Sequence, residues 1–386
     1  MVILVRKAAA ALLGAALVAC LLAGCGSDVL DLVKQLGRRA MSGEASQGRL
    51  AVQQSDILMD TVVQLSATGR EAQAAVDESL ARLHELEGKL SPYVPGSDAD
   101  RLEHKAGTGE WVPVSPEMYH LLSLSQRISA LSGGAWDVTI GPLTRLWGIG
   151  TEKARVPSEE EVAAARGLVD WRQLELDEDK QSARLLQPGM RLDLGGIAKG
   201  LAVDEVRRIY AAHEIESGLI NFGSSSLYAV GKSERGQRWH IGIRHPRSQD
   251  EGQPLAVLGL SGEALSTSGD YEHFFEREGV RYHHILDART GKPAGLGQPP
   301  ELRPMSVTVV VAGTNPDAGL LADVLTTTAF VLGPREGRDF LLGLAREKGL
   351  EGIAGEVTGQ DGVLWATPGM KERLRRLAEG FRIQEE

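Results

Sequence analysis

Asp323 and Thr327 stand four residues apart in Ala322-Asp323-Val324-Leu325-Thr326-Thr327-Thr328. The apolar surroundings predict a helix, and on a helix this spacing sets both oxygens on one face. Hard oxygen ligands of that kind suit Mg²⁺, which takes near-octahedral oxygen coordination at about 2.0–2.1 Å and often shares phosphate oxygens. A local hydrogen bond or a solvated face is the plainer reading of the pair alone. A second stretch, Asp193-Leu194-Gly195-Gly196-Ile197-Ala198-Lys199-Gly200, runs from a strand end into a predicted helix, Leu201–Ala212. Its glycines let backbone approach a ligand, and the N–H groups opening a helix suit a phosphate. It lacks both the Walker spacing and GxGxxG, so a tight turn with Lys199 in solvent is an equal reading.

Two further stretches offer proton-transfer groups and aromatics. Ser266-Thr267-Ser268-Gly269-Asp270-Tyr271 precedes Tyr282-His283-His284-Ile285-Leu286-Asp287, and His284, Asp270 and Asp287 are the candidate proton acceptors. A polar hairpin with a structural Asp–Arg pair is the alternative there. Ser132-Gly133-Gly134-Ala135-Trp136-Asp137 sets an aromatic beside glycines and an acid, able to cover a planar ring. Trp136 and Trp147 are equally at home in a core, the commoner fate of tryptophan.

The elements that must position these groups follow from periodicity. Ile57-Leu58-Met59-Asp60-Thr61-Val62-Val63 reads as one strand within 56–67. Helices are expected over 71–90, with Ala75, Leu80, Leu83, Leu86 and Leu90 near the 3.6-residue period, and over 115–132, opened by Ser115-Pro116 and closed by Gly133-Gly134. A charged helix near 158–166 leads to short strands around Leu174, Ala183 and Leu192. Antiparallel strands follow over 221–245 and 255–286. Val307–Val311 reads as a buried strand before a helix opening near Asn315-Pro316, and helices are expected near 335–348 and 369–380. Helices and strands interleave without a βαβ period, which predicts an α+β fold.

Composition bounds the rest. The chain has 386 residues, 42% hydrophobic and 24% charged, enough for one large or two ordinary domains with a sizeable core. Its net charge of −10 is a poor footprint for nucleic-acid binding. Cys20 and Cys25 are the only cysteines, so no disulfide scaffold or cysteine cage serves the body. Arg6-Lys7 and the apolar run 8–22 read as a secretory signal rather than a membrane span. Leu22-Ala23-Gly24-Cys25 resembles a bacterial lipobox. The expected organisation is a signal over 1–24, a tether over 25–50 anchored by acyl chains on Cys25, and a single body over 51–386. Cleavage would remove Arg6 and Lys7, taking the charge from −10 to −12. Several acyl chains, at about 0.8 kcal/mol per buried CH₂, would hold the body to an extracytoplasmic membrane face. Asp28 is third after Cys25 rather than second, which leans toward the outer membrane.

In this order, Asp193 to Gly200, Thr267 to Tyr271, His284 to Pro293 and Asp323 to Thr327 resemble the FAD:protein FMN transferases, the ApbE flavin transferases or thiamine-biosynthesis lipoproteins. Leu90-Ser91-Pro92-Tyr93, Gly134-Ala135-Trp136-Asp137, Trp147-Gly148 and Ile243-Arg244-His245-Pro246-Arg247 extend the resemblance over roughly residues 57 to 370. It implies a two-lobed, T-fold-related architecture with FAD and Mg²⁺ in the cleft between lobes. It implies flavin-nucleotide contacts at Met59, Tyr93, Ala135, Trp136, Asp137, Asp193, Lys199 and Leu286, and Mg²⁺ ligands at Asp323, Thr327 and the carbonyl of Gly196. The implied reaction transfers FMN from FAD to a threonine hydroxyl of a membrane redox subunit and releases AMP. The competing readings are an FAD pyrophosphatase and a non-catalytic FAD-binding lipoprotein. Four departures stand out: Ser224-Ser225 where the family often has Gly-Asp, Ala288 where Pro usually follows Asp287, Glu103 where Asn is common, and Thr326 where some relatives are acidic.

Overall fold

The computed structural model describes residues 43–45, 49–248, 250, 252–347 and 350–385. The signal, the lipobox with Cys25 and most of the expected tether lie outside them. The central sheet has ten strands whose spatial order follows the chain: β1 Gly43–Ala45, β2 Arg49–Leu58, β3 Thr61–Gly69, β4 Ser217–Phe222, β5 Ser226–Gly231, β6 Glu263–Gly269, β7 Pro304–Ala312, β8 Ile353–Gly359, β9 Val363–Ala366 and β10 Arg382–Ile383. All neighbours are antiparallel except β9 and β10. Strand pairing therefore reaches back to Gly43, inside the span expected to be tether.

β7 is buried on both faces, as its valine run predicts. Val307, Val309 and Val311 face the main core, whereas Val310 faces a second one. Three helices cover the first face, α1 Ala72–Leu90, α3 Ala198–Ala212 and α4 Ala318–Leu332, and α2 Pro116–Leu131 packs beside α4. A two-stranded sheet, Trp239–Ile243 with Ala256–Leu260, and the C-terminal Met370 and Leu374 cover the other. The excursion between β3 and β4 also carries α2 and a small three-stranded sheet, which make the second lobe. The antiparallel meander with helices largely on one face is the expected α+β class.

Capping explains where several helices begin. Ser115 accepts a hydrogen bond from Met118 N with Pro116 at the first turn, and Ser158 and Glu161 form a capping box opening Glu159–Arg166. Four expectations need correction. The strand read over 56–67 is two strands joined by a two-residue turn, Met59-Asp60, at φ 52° and 57°. No glycine marks that turn, which is why periodicity ran through it. Leu192 is not in a strand; its neighbour Arg191 makes only an isolated bridge to Ile140. The helix after Asn315-Pro316 starts at Ala318, because the Asn315 side chain accepts from Asp317 N and holds a turn. Of 369–380, helix covers only Pro368–Lys371, since the chain then bridges Arg375 to Val257.

Candidate functional site

Two helices crossing at glycines build the floor of the site. A Cβ on Gly200 would lie 2.4 Å from Gly319 O, and one on Gly319 would lie 2.5 Å from Gly200 O, so only glycines allow α3 and α4 this approach. The helices then cap each other. Asp204 of α3 accepts from Gly319 N and Leu320 N at 3.0 and 2.8 Å, satisfying the opening turn of α4. Asp323 of α4 returns the favour, its Oδ2 accepting from Gly200 N at 2.9 Å. Burial pushes the Asp204 carboxyl up to about 6, against the lowering effect of Arg207 and the two N–H groups.

Above this floor lies a cleft of about 680 Å³. It is lined by Met59, Tyr93, Ala135, Trp136, Asp137, Asp193, Lys199, Leu286, Gly196, Asp323, Thr327 and His284. All eight positions expected to touch the nucleotide, the three expected cation ligands and one expected proton acceptor are thus brought together. Asp193 Oδ1 accepts from Gly195 N at 2.9 Å, closing the turn, and Lys199 Nζ donates to Gly195 O at 2.7 Å. Trp136 is nearly buried with Nε1 donating to Ser125 Oγ, so it belongs to the core and to the cleft wall at once. Trp147 is wholly core, donating to Gly291 O. Asp137 lines the cleft, but its carboxylate is spent internally on Thr139 N, Thr139 Oγ1 and Trp171 N, and burial raises its pKa.

Asp270 and Asp287 do not reach the cleft. Asp270 is almost fully buried in a two-point pair with Arg247, both contacts 2.7 Å, with Arg281 behind it. Asp287 accepts from Arg289 N, Nε and Nη2 within one turn. Both are arginine-paired structural acids, the alternative the sequence left open. His284 does line the cleft: its Nδ1 lies 3.3 Å from His273 O and its ring meets His273 edge-on at 5.3 Å. That contact assigns the proton to Nδ1 and leaves Nε2 as the lone-pair atom. Burial, with His273, His283 and Lys199 adding to it, pushes this imidazole down to about 3.

The oxygens at the floor fit a divalent cation. Thr326 and Thr328 return their hydroxyls to Asp323 O and Val324 O, whereas Thr327 faces the cleft with no hydrogen-bond partner among the described residues. A Cβ on Gly196 would lie 2.9 Å from Thr327 Oγ1, so only a glycine lets this backbone lie so close to the hydroxyl. Among the described residues no three His, Cys, Asp or Glu side chains gather for a metal. The expected set has one such residue, so hydroxyl and carbonyl oxygens complete it. Thr326 is buried and bonded to Ser268, which removes it as a second ligand.

Sequence reasoning missed several lining groups: Asp60, Glu87, Arg145, Glu272 and His273. Glu87 accepts from Met59 N at 2.7 Å and so holds the β2–β3 turn at the cleft. The Glu103 side chain is covered by Arg145 and Arg191 and accepts from Leu192 N, tying the wall to the Asp193 turn. No local pattern announces these contacts; their partners lie 28 to 89 residues away.

The fold is that of solved ApbE flavin transferases. The ApbE protein of Thermotoga maritima matches with a TM-score of 0.73 at 28% identity, covering 84% of this chain and 100% of its own. Flavin transferase ApbE from Vibrio cholerae matches at 0.69 and 25%, covering 84% and 99%. The ApbE family model matches residues 59–353. An FAD:protein FMN transferase of Treponema pallidum is 32% identical over 378 residues, 95% of this chain and 96% of that protein. One of Klebsiella pneumoniae is 35% identical over 266 residues, 68% and 78% respectively. The chain belongs to the ApbE family.

Proposed function

We propose that this ApbE-family protein transfers FMN from FAD to a threonine hydroxyl of a target protein, releasing AMP, with Mg²⁺ held at Asp323, Thr327 and the Gly196 carbonyl. FMN transfer from FAD to protein is the activity for which its relatives are named. The observation that carries the reading is the meeting, in one cleft, of the Gly195–Lys199 turn, the Asp323/Thr327 pair and His284.

In this reading the threonine Oγ bonds to the FMN-side phosphorus as the bond to the bridging oxygen breaks. AMP leaves with that oxygen, and the threonine proton passes to His284 Nε2. His284 is neutral at pH 7 because its pKa is pushed down to about 3. So weak a base takes the proton late, once bonding to phosphorus has acidified the hydroxyl. Lys199, which lines the cleft, supplies positive potential to the phosphates. Bound Mg²⁺ would neutralise charge on the pyrophosphate oxygens. Trp136 and the Met59-Asp60 turn form walls able to position a flat ring. Lipidation at Cys25 would hold the enzyme beside membrane redox subunits, on the extracytoplasmic face. Among the described residues no helix is long and apolar enough to cross a membrane.

The test is co-expression with a candidate acceptor subunit and mass spectrometry for covalent FMN, alongside AMP release from FAD and Mg²⁺ in vitro. Acceptor labelling with equimolar AMP is expected. Free FMN and AMP without labelling would make the protein a pyrophosphatase, and retained FAD without AMP would make it a carrier.

A further inference from the structure

Ser226 follows the Ser224-Ser225 pair that departs from the family pattern, and it has a partner in the site. Ser226 and Ser266 are register partners on β5 and β6, both buried, and both face α4. Ser226 Oγ donates to Asp323 Oδ1 at 3.0 Å, Ser266 Oγ reaches the same oxygen at 3.2 Å, and the two hydroxyls are 3.1 Å apart. In the buried stretch Ser226–Ala229, Ser226 carries the hydroxyl that points at α4. A strand there gains nothing from a hydroxyl unless the hydroxyl has work.

We propose that Ser226, seconded by Ser266, is a positioning residue that fixes the Asp323 carboxylate for its cation. The proposal rests on the reading of Asp323 as a cation ligand. Oδ1 takes the serine hydroxyls and Oδ2 takes Gly200 N–H, so three acceptor positions are committed and one on Oδ2 stays open. The carboxylate cannot swing without breaking bonds to a helix and to two strands. Proton counting ranks the serines. The proton of Ser226 has only Asp323 or Ser266 to go to. That of Ser266 is shared with Ser225 O, 3.1 Å away on the cleft-lining loop. Ser226 therefore holds Asp323 more firmly than Ser266 does.

The experiment uses Mn²⁺ as a hard-cation probe on the whole protein, read by electron paramagnetic resonance with and without FAD. FAD binding in EDTA is followed by flavin fluorescence. Losing a hydrogen-bond partner of a metal ligand costs about 10–100-fold in affinity. S226A is expected to raise the Mn²⁺ Kd about tenfold and S266A about threefold, with S226T close to wild type. FAD binding in EDTA is expected to stay constant, since neither hydroxyl lines the cleft. An S226A Kd within twofold of wild type, while D323N loses Mn²⁺, overturns the proposal and leaves the ligand reading standing. Wild-type Mn²⁺ affinity in D323N overturns both. If S226A does not fold, S266A decides by the same readouts, and an unchanged Kd there overturns the proposal.

Discussion

Replacing Asp323 separates its structural duty from its chemical one. Three donors converge on this carboxylate: Gly200 N, Ser226 Oγ and Ser266 Oγ. In D323A the serines can turn to each other and to Ser225 O, but the buried Gly200 N–H is fixed in α3 and orphaned. An unsatisfied buried donor costs about 1–3 kcal/mol, and the vacated side-chain volume adds to it. D323N has a way out. Its amide oxygen can accept from Gly200 N while its NH₂ donates to the serine oxygens, whose protons are redirected to Ser225 O and to each other. Every group is then satisfied, so D323N should stay within about 1 kcal/mol of wild type and D323A should fall below it. Both lose the anionic ligand, and cation affinity should drop at least about 100-fold, since losing a mere partner of a ligand already costs about 10–100-fold. Thermal or urea unfolding measures the first effect, and AMP release as Mg²⁺ is titrated measures the second. Activity in D323N within tenfold of wild type at submillimolar Mg²⁺ would refute the ligand assignment. Equal destabilisation of D323N and D323A would refute the reasoning about hydroxyl reorientation.

Two further outcomes test the framework around the site. G200A places a Cβ 2.4 Å from Gly319 O and 2.7 Å from Asp323 Cβ, so it should cost about 1–3 kcal/mol or more and lower activity with it. Gly88, exposed on α1 with nothing near its absent side chain, is the control: G88A should gain about 0.5–1 kcal/mol in the same unfolding assay. The second concerns Glu356, which is fully buried with Oε1 unpartnered and Oε2 accepting from Thr358. Burial pushes its carboxyl up to about 7 from the ordinary 4.5. The protonated form is favoured in the fold, so its contribution is complete below pH 4.5 and is lost as pH rises through 7. E356Q, which does not ionise, should match wild type in Tm near pH 4 and exceed it by at least about 2 °C at pH 8. A Tm difference independent of pH would show that Glu356 titrates normally.

The local signals were legible because they obey short-range rules. The i, i+4 spacing of Asp323 and Thr327, the Ser115-Pro116 cap, and the doubly buried valine run of β7 each depend on a few neighbouring residues. The ordered blocks from Asp193 to Thr327 carried the family resemblance, and the cleft gathers the residues they point to. Choice among chemically equal groups was not legible. His284, Asp270 and Asp287 are all competent proton acceptors on paper, and only the fold sends two of them to Arg247 and Arg289.

By itself, then, the sequence determined the α+β class, the Ser115-Pro116 helix start and the set of candidate residues that the fold gathers in one cleft. Tertiary structure decided which of those groups remain free to act. The reciprocal caps of Asp204 and Asp323 join residues 115 to 123 positions apart, and Glu103 secures the Asp193 turn from 89 residues away. Such pairings leave no period or local motif in the chain, because they depend on where Gly200 and Gly319 let two helices touch.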